Sequence, residues 1–129
     1  MLKIIEFLDI EKIEDIRKRV LNKNLDKFDN FSFHLALIEE GVIHGVGRLY
    51  KQNGNIVIDN IAVEKFAESK YYEILFRALL NKSQSIECNY VTAKKDKETN
   101  FYFQFGFDKE LKVKSKDIIF KCGCIKEEK

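Results

Sequence analysis

Thiols, imidazoles, carboxylates and amines are the side chains of this sequence that could do chemistry, and their spacing narrows what that chemistry is. Cys122-Gly123-Cys124 sets two thiols two residues apart, close enough to chelate a soft metal. A structural zinc site needs a second such pair, and Cys88 stands alone, so no metal is expected. Three cysteines are an odd number for a disulfide framework and read as reduced thiols of a cytoplasmic protein. His34 and His44 have side chains suited to base chemistry. They fall on separate strand-like segments with no companion motif, and read as structural or surface residues. Lys94, Lys95 and Lys97 form a basic cluster, either a solvated run or a contact for an anion. Glu73 and Arg77, four residues apart, pair along one helix face.

Composition removes several classes of function. The 129 residues carry 23 basic and 21 acidic side chains, a net charge of +2 without the basic footprint of a nucleic-acid binder. No apolar run approaches the roughly 18 residues that span a bilayer, and Glu6 and Asp9 interrupt the N-terminal stretch where a secretory segment would be apolar. Neither nucleic acid nor membrane is an expected partner. Hydrophobic residues make up 45% of the chain, with 11 Phe and 5 Tyr, enough for the core of one domain over residues 1–129.

The elements that must position these side chains are short. Lys3 to Leu8 reads as a strand, and Asp9 as the N-cap of a helix whose Ile10, Ile13, Ile16 and Val20 recur at helical spacing. Asn22 to Asn30 is polar, a short helix or a structured loop. Phe33–Glu39 and Val42–Lys51 form a hairpin about Glu40-Gly41, and Asn53-Gly54 turns the chain into a central strand, Ile56–Val63. Ser69 is a helix N-cap, after which Tyr72, Phe76 and Leu79 or Leu80 line one face. Glu87–Ala93 is the next strand, Asp96–Phe105 a second helix ended by Gly106, and Phe107–Val113 with Ile118–Cys122 a terminal hairpin. A strand, long helix, strand unit places Ile56–Val63 and Glu87–Ala93 side by side and parallel. The fold class is α/β (α+β): a mixed, mostly antiparallel sheet flanked by helices, with one parallel pair.

This order resembles the GNAT superfamily of N-acetyltransferases. Ile61-Ala62-Val63 is similar to the family's "(I/L)-A-V" strand end, and residues Asn100 to Phe107, NFYFQFGF, to its "x-F-Y-x-x-x-G-F" signature. The resemblance implies a sheet splayed between its fourth and fifth strands, with acetyl-CoA as co-substrate in the opening. It implies that the backbone of Asn60, Ile61, Ala62 and Val63 binds the pantetheine. The helix start, Ser69, Lys70, Tyr71 and Tyr72, would meet the pyrophosphate, where unpaired N–H groups favour an anion. Lys95 and Asn100 complete the expected cofactor contacts. Tyr102 matches the tyrosine that protonates the departing thiolate; the bland alternative makes it one aromatic among Phe101, Phe103, Phe105 and Phe107. Asp59, with Glu39 beside it, is the carboxylate placed to take the amine's proton, and the ordinary account of each is a strand residue.

The sequence departs from the family between strand and helix. There the family has "(R/Q)-x-x-G-x-(G/A)", and those positions fall here on Glu68, Tyr71 and Glu73, or with one gap on Tyr72. No glycine lies between Asn55 and Phe105. Bulk from the tyrosines and charge from the glutamates are expected where phosphates would lie. Two functions follow: an acyltransferase acting on a small-molecule or peptide amine, and a non-catalytic binding module of the same fold. A second copy of the chain is the remaining expected partner.

Overall fold

A computed structural model describes residues 1–65, 70–94 and 101–119. Strand β1 (Leu2–Glu6) leads into helix α1 (Ile10–Leu21) and a 3-10 helix (Lys27–Phe31). Three strands follow: β2 (Phe33–Glu39), β3 (Val42–Gln52) and β4 (Asn55–Val63). Helix α2 (Lys70–Ser83) then precedes β5 (Tyr90–Ala93), a 3-10 helix (Phe101–Phe105), β6 (Lys112–Lys114) and a 3-10 turn (Ser115–Asp117). The strands stand in the sheet in chain order, antiparallel except for the parallel pair β4 and β5. No described helix is long and apolar enough to cross a membrane.

Local chemistry accounts for the joints. Asp9 caps α1 by accepting a hydrogen bond from the Lys12 N–H, and Asn22 ends it in the left-handed conformation. Glu40-Gly41 and Asn53-Gly54 all have positive φ, the two-residue turn whose twist matches the strands it joins.

The helices cover opposite faces. Alternation along β2 sends Leu35 and Leu37 towards α2 and Ala36 towards α1. Helix α2 buries Tyr71, Tyr72, Leu75, Phe76, Leu79 and Leu80, and α1 buries Ile13 and Ile16 against Val46 and Ala62. In β4 the alternation breaks: Ile58 and Ile61, three residues apart, both face α2. The register explains it, since Val46 pairs with Ala62 and Arg48 with Asp59, leaving Asn60 and Ile61 opposite Gly47 alone. This is a β-bulge, and Asn60 takes it at φ 51°. Gly47 admits it, because a Cβ there would lie 2.9 Å from Leu79 Cδ1 and 3.1 Å from Ile61 Cγ1.

The C-terminal third differs from expectation. The strand expected from Glu87 begins at Tyr90, and the described part of the helix expected over Asp96–Phe105 is the 3-10 helix Phe101–Phe105. Gly106 follows it at φ 99°, where a Cβ would meet the Asp117 carbonyl at 2.9 Å. Phe107–Val113 is not one strand. Asp108 accepts from the N–H groups of Glu110 and Lys112 and Leu111 turns left-handed, so pairing starts only at Lys112. Residues 95–100 and 120–129, which include Cys122 and Cys124, lie outside the described residues.

Candidate functional site

The parallel seam is short. β4 and β5 pair at three positions, Ile56 with Val91, Val57 with Thr92 and Ile58 with Ala93. The Lys94 N–H closes it by donating to the Ile58 carbonyl at 3.0 Å. Beyond that point β5 ends, whereas β4 runs on from Asp59 to Val63, and among the described strands none pairs with this stretch on the β5 side. The expected parallel pairing of these two strands is present, and the bulge at Asn60 lies just past its last rung.

On the α2 face, three successive residues of the helix's first turn are tied down. The Tyr71 hydroxyl donates to Glu39 Oε1 at 2.6 Å, and its ring lies 5.9 Å from that of His44. The Tyr72 and Tyr102 hydroxyls are 2.8 Å apart. Glu73 Oε2 accepts from Gln104 Nε2 at 3.0 Å and stands 3.5 Å from the Arg77 guanidinium. Both tyrosine rings are buried, turned in beneath the helix. Glu73 is occupied by Gln104 and Arg77. Lys70 is exposed at the helix start. Tyr102 is 1% exposed and sits in an aromatic box, 5.2 Å from Phe76 and 4.3 Å from Phe101. Glu68, Ser69, Lys95, Lys97 and Asn100 lie outside the described residues.

The other face carries a buried ionic network. Arg48 Nε donates to Asp59 Oδ1 at 2.6 Å, while its terminal nitrogens grip both oxygens of Asp26 at 2.7 and 3.0 Å. Arg17 holds Asp29 through two bonds of 2.9 and 3.0 Å, and Arg48 is 3.0 Å from the same carboxylate. His34 Nε2 lies 3.2 Å from the Asp29 carbonyl. Burial works to raise the Asp29 carboxyl, but the bonds from Arg17 and the Asp26 N–H and the charges of both arginines outweigh it, holding the pKa at about 2. The Arg48 hydrogen bonds likewise lower Asp26. Burial lowers the His34 imidazole.

This geometry separates the two nominated catalytic residues. Tyr102 belongs to the core on the α2 face, with Ile58. Asp59, one residue along β4, points the opposite way, and its oxygens bond to Arg48 at 2.6 and 3.2 Å. A carboxylate so engaged is part of a structural ion pair before it is a base. Sequence reasoning missed Arg17, Arg48, Asp26 and Asp29. A signal for two of them existed: Asp26 and Asp29, three apart, form the capping box of the 3-10 helix Lys27–Phe31. Away from the opening, an open depression of about 510 Å³ lies at the start of β5, lined by Cys88, Tyr90, Lys114 and Lys116 among others.

No family model and no characterised protein matches the chain by sequence. Solved structures do match. N-acetylglutamate synthase from Neisseria gonorrhoeae, complexed with coenzyme A and N-acetyl-glutamate, is similar over 72% of this chain and 25% of its own, with 19% identity and a TM-score of 0.60. This chain therefore spans about a quarter of that enzyme's length. The ribosomal-protein-S18-alanine N-acetyltransferase from Escherichia coli is similar over 84% of this chain and 78% of its own, with 14% identity and a TM-score of 0.68. A GNAT-family acetyltransferase from Staphylococcus aureus is similar over 74% and 73%, with 17% identity and a TM-score of 0.56. At such identities the likeness is one of fold.

Proposed function

We propose, with the GNAT N-acetyltransferase fold of this chain as the premise, that it is an acetyl-CoA-dependent N-acyltransferase acting on an amine. The observation that supports this most is the three-rung seam that ends at Ile58 and Ala93 while β4 continues to Val63. An extended chain laid there would find a bulged strand edge rather than a finished sheet. The residues fit the co-substrate in part. Ile61, Ala62 and Val63 offer backbone along the opening, and the inward turn of Tyr71 and Tyr72 keeps their rings from the outer side of the α2 start, where Lys70 supplies a cation. Ser69, Lys95 and Asn100 are the further contacts in this reading.

Bound acetyl-CoA supplies the activated acyl thioester; the chain supplies position and protons. Tyr102 holds a proton at its hydroxyl for the leaving sulfur. On the opposite face three aspartates face two arginines, with the Lys23 ammonium 3.4 Å from Asn60 Oδ1 beside them. The amine's proton passes to water while Asp59 stays with Arg48.

Thermal unfolding with acetyl-CoA tests the reading. A ligand at 100 times its Kd adds about 2.7 kcal/mol, so Tm should rise with millimolar acetyl-CoA, and thiol release should follow once an amine is added. No rise in Tm at that concentration overturns it. A second reading, a binding module without turnover, is favoured by the burial of Tyr102. It predicts a rise in Tm with no thiol released.

A further inference from the structure

We propose that the outer edge of β1 is a self-association surface, on which β1 of a second copy of this chain pairs antiparallel about a two-fold axis at Ile4. Nothing in it depends on the acyltransferase reading. β1 is an edge strand, paired among the described strands with β2 alone. Its ladder shows which backbone groups that leaves over. The Phe7 N–H donates to the His34 carbonyl, so in the unbroken register of this pair Ile5 and Lys3 also turn their backbone groups to β2. The N–H and C=O groups of Leu2, Ile4 and Glu6 therefore point outward, and no described residue bonds to them. Such a row is a template for another strand. β1 has no bulge to twist it away and the chain has no proline to blunt it.

Symmetry and charge select the occupant. A two-fold axis normal to the sheet sets residues of one face against each other, which limits the registers to alternate ones. Centred on Ile4, the axis sets Ile4 against Ile4 and Leu2 against Glu6 of the second copy, so all three outward residues enter hydrogen-bonded rungs. Centred on Lys3, it would set Lys3 directly on Lys3, a like-charge pair that destabilises, and leave Glu6 out. Centred on Ile5, it would leave Leu2 with no β1 residue opposite. In the Ile4 register neither Lys3 nor Glu6 meets its like. Ile5 of the second copy falls opposite Lys3, beside an open depression of about 360 Å³ lined by Met1, Lys3, Ile5 and Ile38 among others. The surroundings of this edge are apolar. Of the nine large apolar side chains exposed among the described residues, five, Met1, Leu2, Ile5, Leu8 and Ile10, lie in the first ten positions, a clustering that marks a contact surface where scattered exposure would not. Antiparallel pairing lays the Leu8 end of one copy beside the Met1 end of the other.

Sedimentation velocity of the full chain over a concentration series tests the pairing. The wild type should pass from monomer to dimer as its concentration rises. Two changes at Ile5, which is 40% exposed, read the register, because the two-fold makes each contact twice. Ile5→Lys sets an ammonium against Lys3 of the second copy and should weaken the dimer by about tenfold or more, whereas Ile5→Glu sets a carboxylate there and should leave it as tight or tighter. Glu6→Pro removes an outward N–H and spares the β2 ladder; folded by circular dichroism, it should also weaken the dimer by about tenfold or more. A wild type that stays monomeric up to about 1 mM overturns the proposal and leaves the edge to a strand of another protein. A dimer that Ile5→Lys leaves intact, or that both Ile5 variants weaken alike, overturns it too, since the contact then lies elsewhere or in another register. A folded Glu6→Pro with the wild-type dimer affinity does the same, whatever the fate of the Ile5 variants.

Discussion

Asp29 is the hub of the buried ionic network. It is the shared acceptor of Arg17 and Arg48 and also receives the Asp26 N–H. Asp29→Ala leaves the Arg17 guanidinium buried without its carboxylate, a loss of about 3–5 kcal/mol readable by urea titration. Asp26, with a side chain 44% exposed and Arg48 still held by Asp59, should cost only about 1 kcal/mol on the same change. Acid should act in two stages. His34 has its pKa lowered from 6.5, so the fold favours the neutral ring. Its contribution is complete above pH 6.5 and is lost as pH falls through the lower folded value. Asp29, lowered from 3.8 to about 2, and Asp26 contribute fully above pH 3.8 and lose their part below it. His34→Gln should remove the first stage and spare the second. The spacing of Asp26 and Asp29 carried a capping signal, but their pairing with the arginines did not announce itself, because a buried ion pair joins residues far apart in the chain: Arg48 meets Asp26 across 22 positions. The motif drew attention to Tyr102 but not to its bond with Tyr72, since that contact depends on how a helix faces a segment thirty residues on.

Elements announced themselves better than contacts did. The strands Phe33–Glu39, Val42–Gln52 and Asn55–Val63 and both helices were readable from alternation, helical spacing and the two glycine turns. The bulge was not, because an Asn inside an apolar run carries no period of its own. It has testable consequences. Asn60→Val forces a β-branched residue into a left-handed conformation and should destabilise by about 1–3 kcal/mol, while Asn60→Gly should be nearly neutral. Gly47→Ala should cost a similar amount through overpacking against Leu79 and Ile61, and the double variant Gly47→Ala, Leu79→Val should recover part of it. Thermal melts of the four proteins suffice. The segment after Gly106 was misread because the Asp108 side chain captures two backbone N–H groups, and such a local turn competes with strand pairing.

At the scale of the whole molecule, the six described strands in chain order mean that β2, β3 and β4 can zip through two tight turns, whereas β5 must wait for α2 to form and pack. Closing a long crossover costs loop entropy before any contact repays it, and only three rungs reward it here. Pulsed hydrogen exchange during refolding should therefore protect the amides of β3 before those of β5. The three-rung seam is thus also the youngest part of the structure in time. A chain emerging from synthesis would carry a finished hairpin meander and an unmade seam, and a ligand bridging β4 and β5 would act as a splint, slowing the escape of β5 far more than the opening of the older strands.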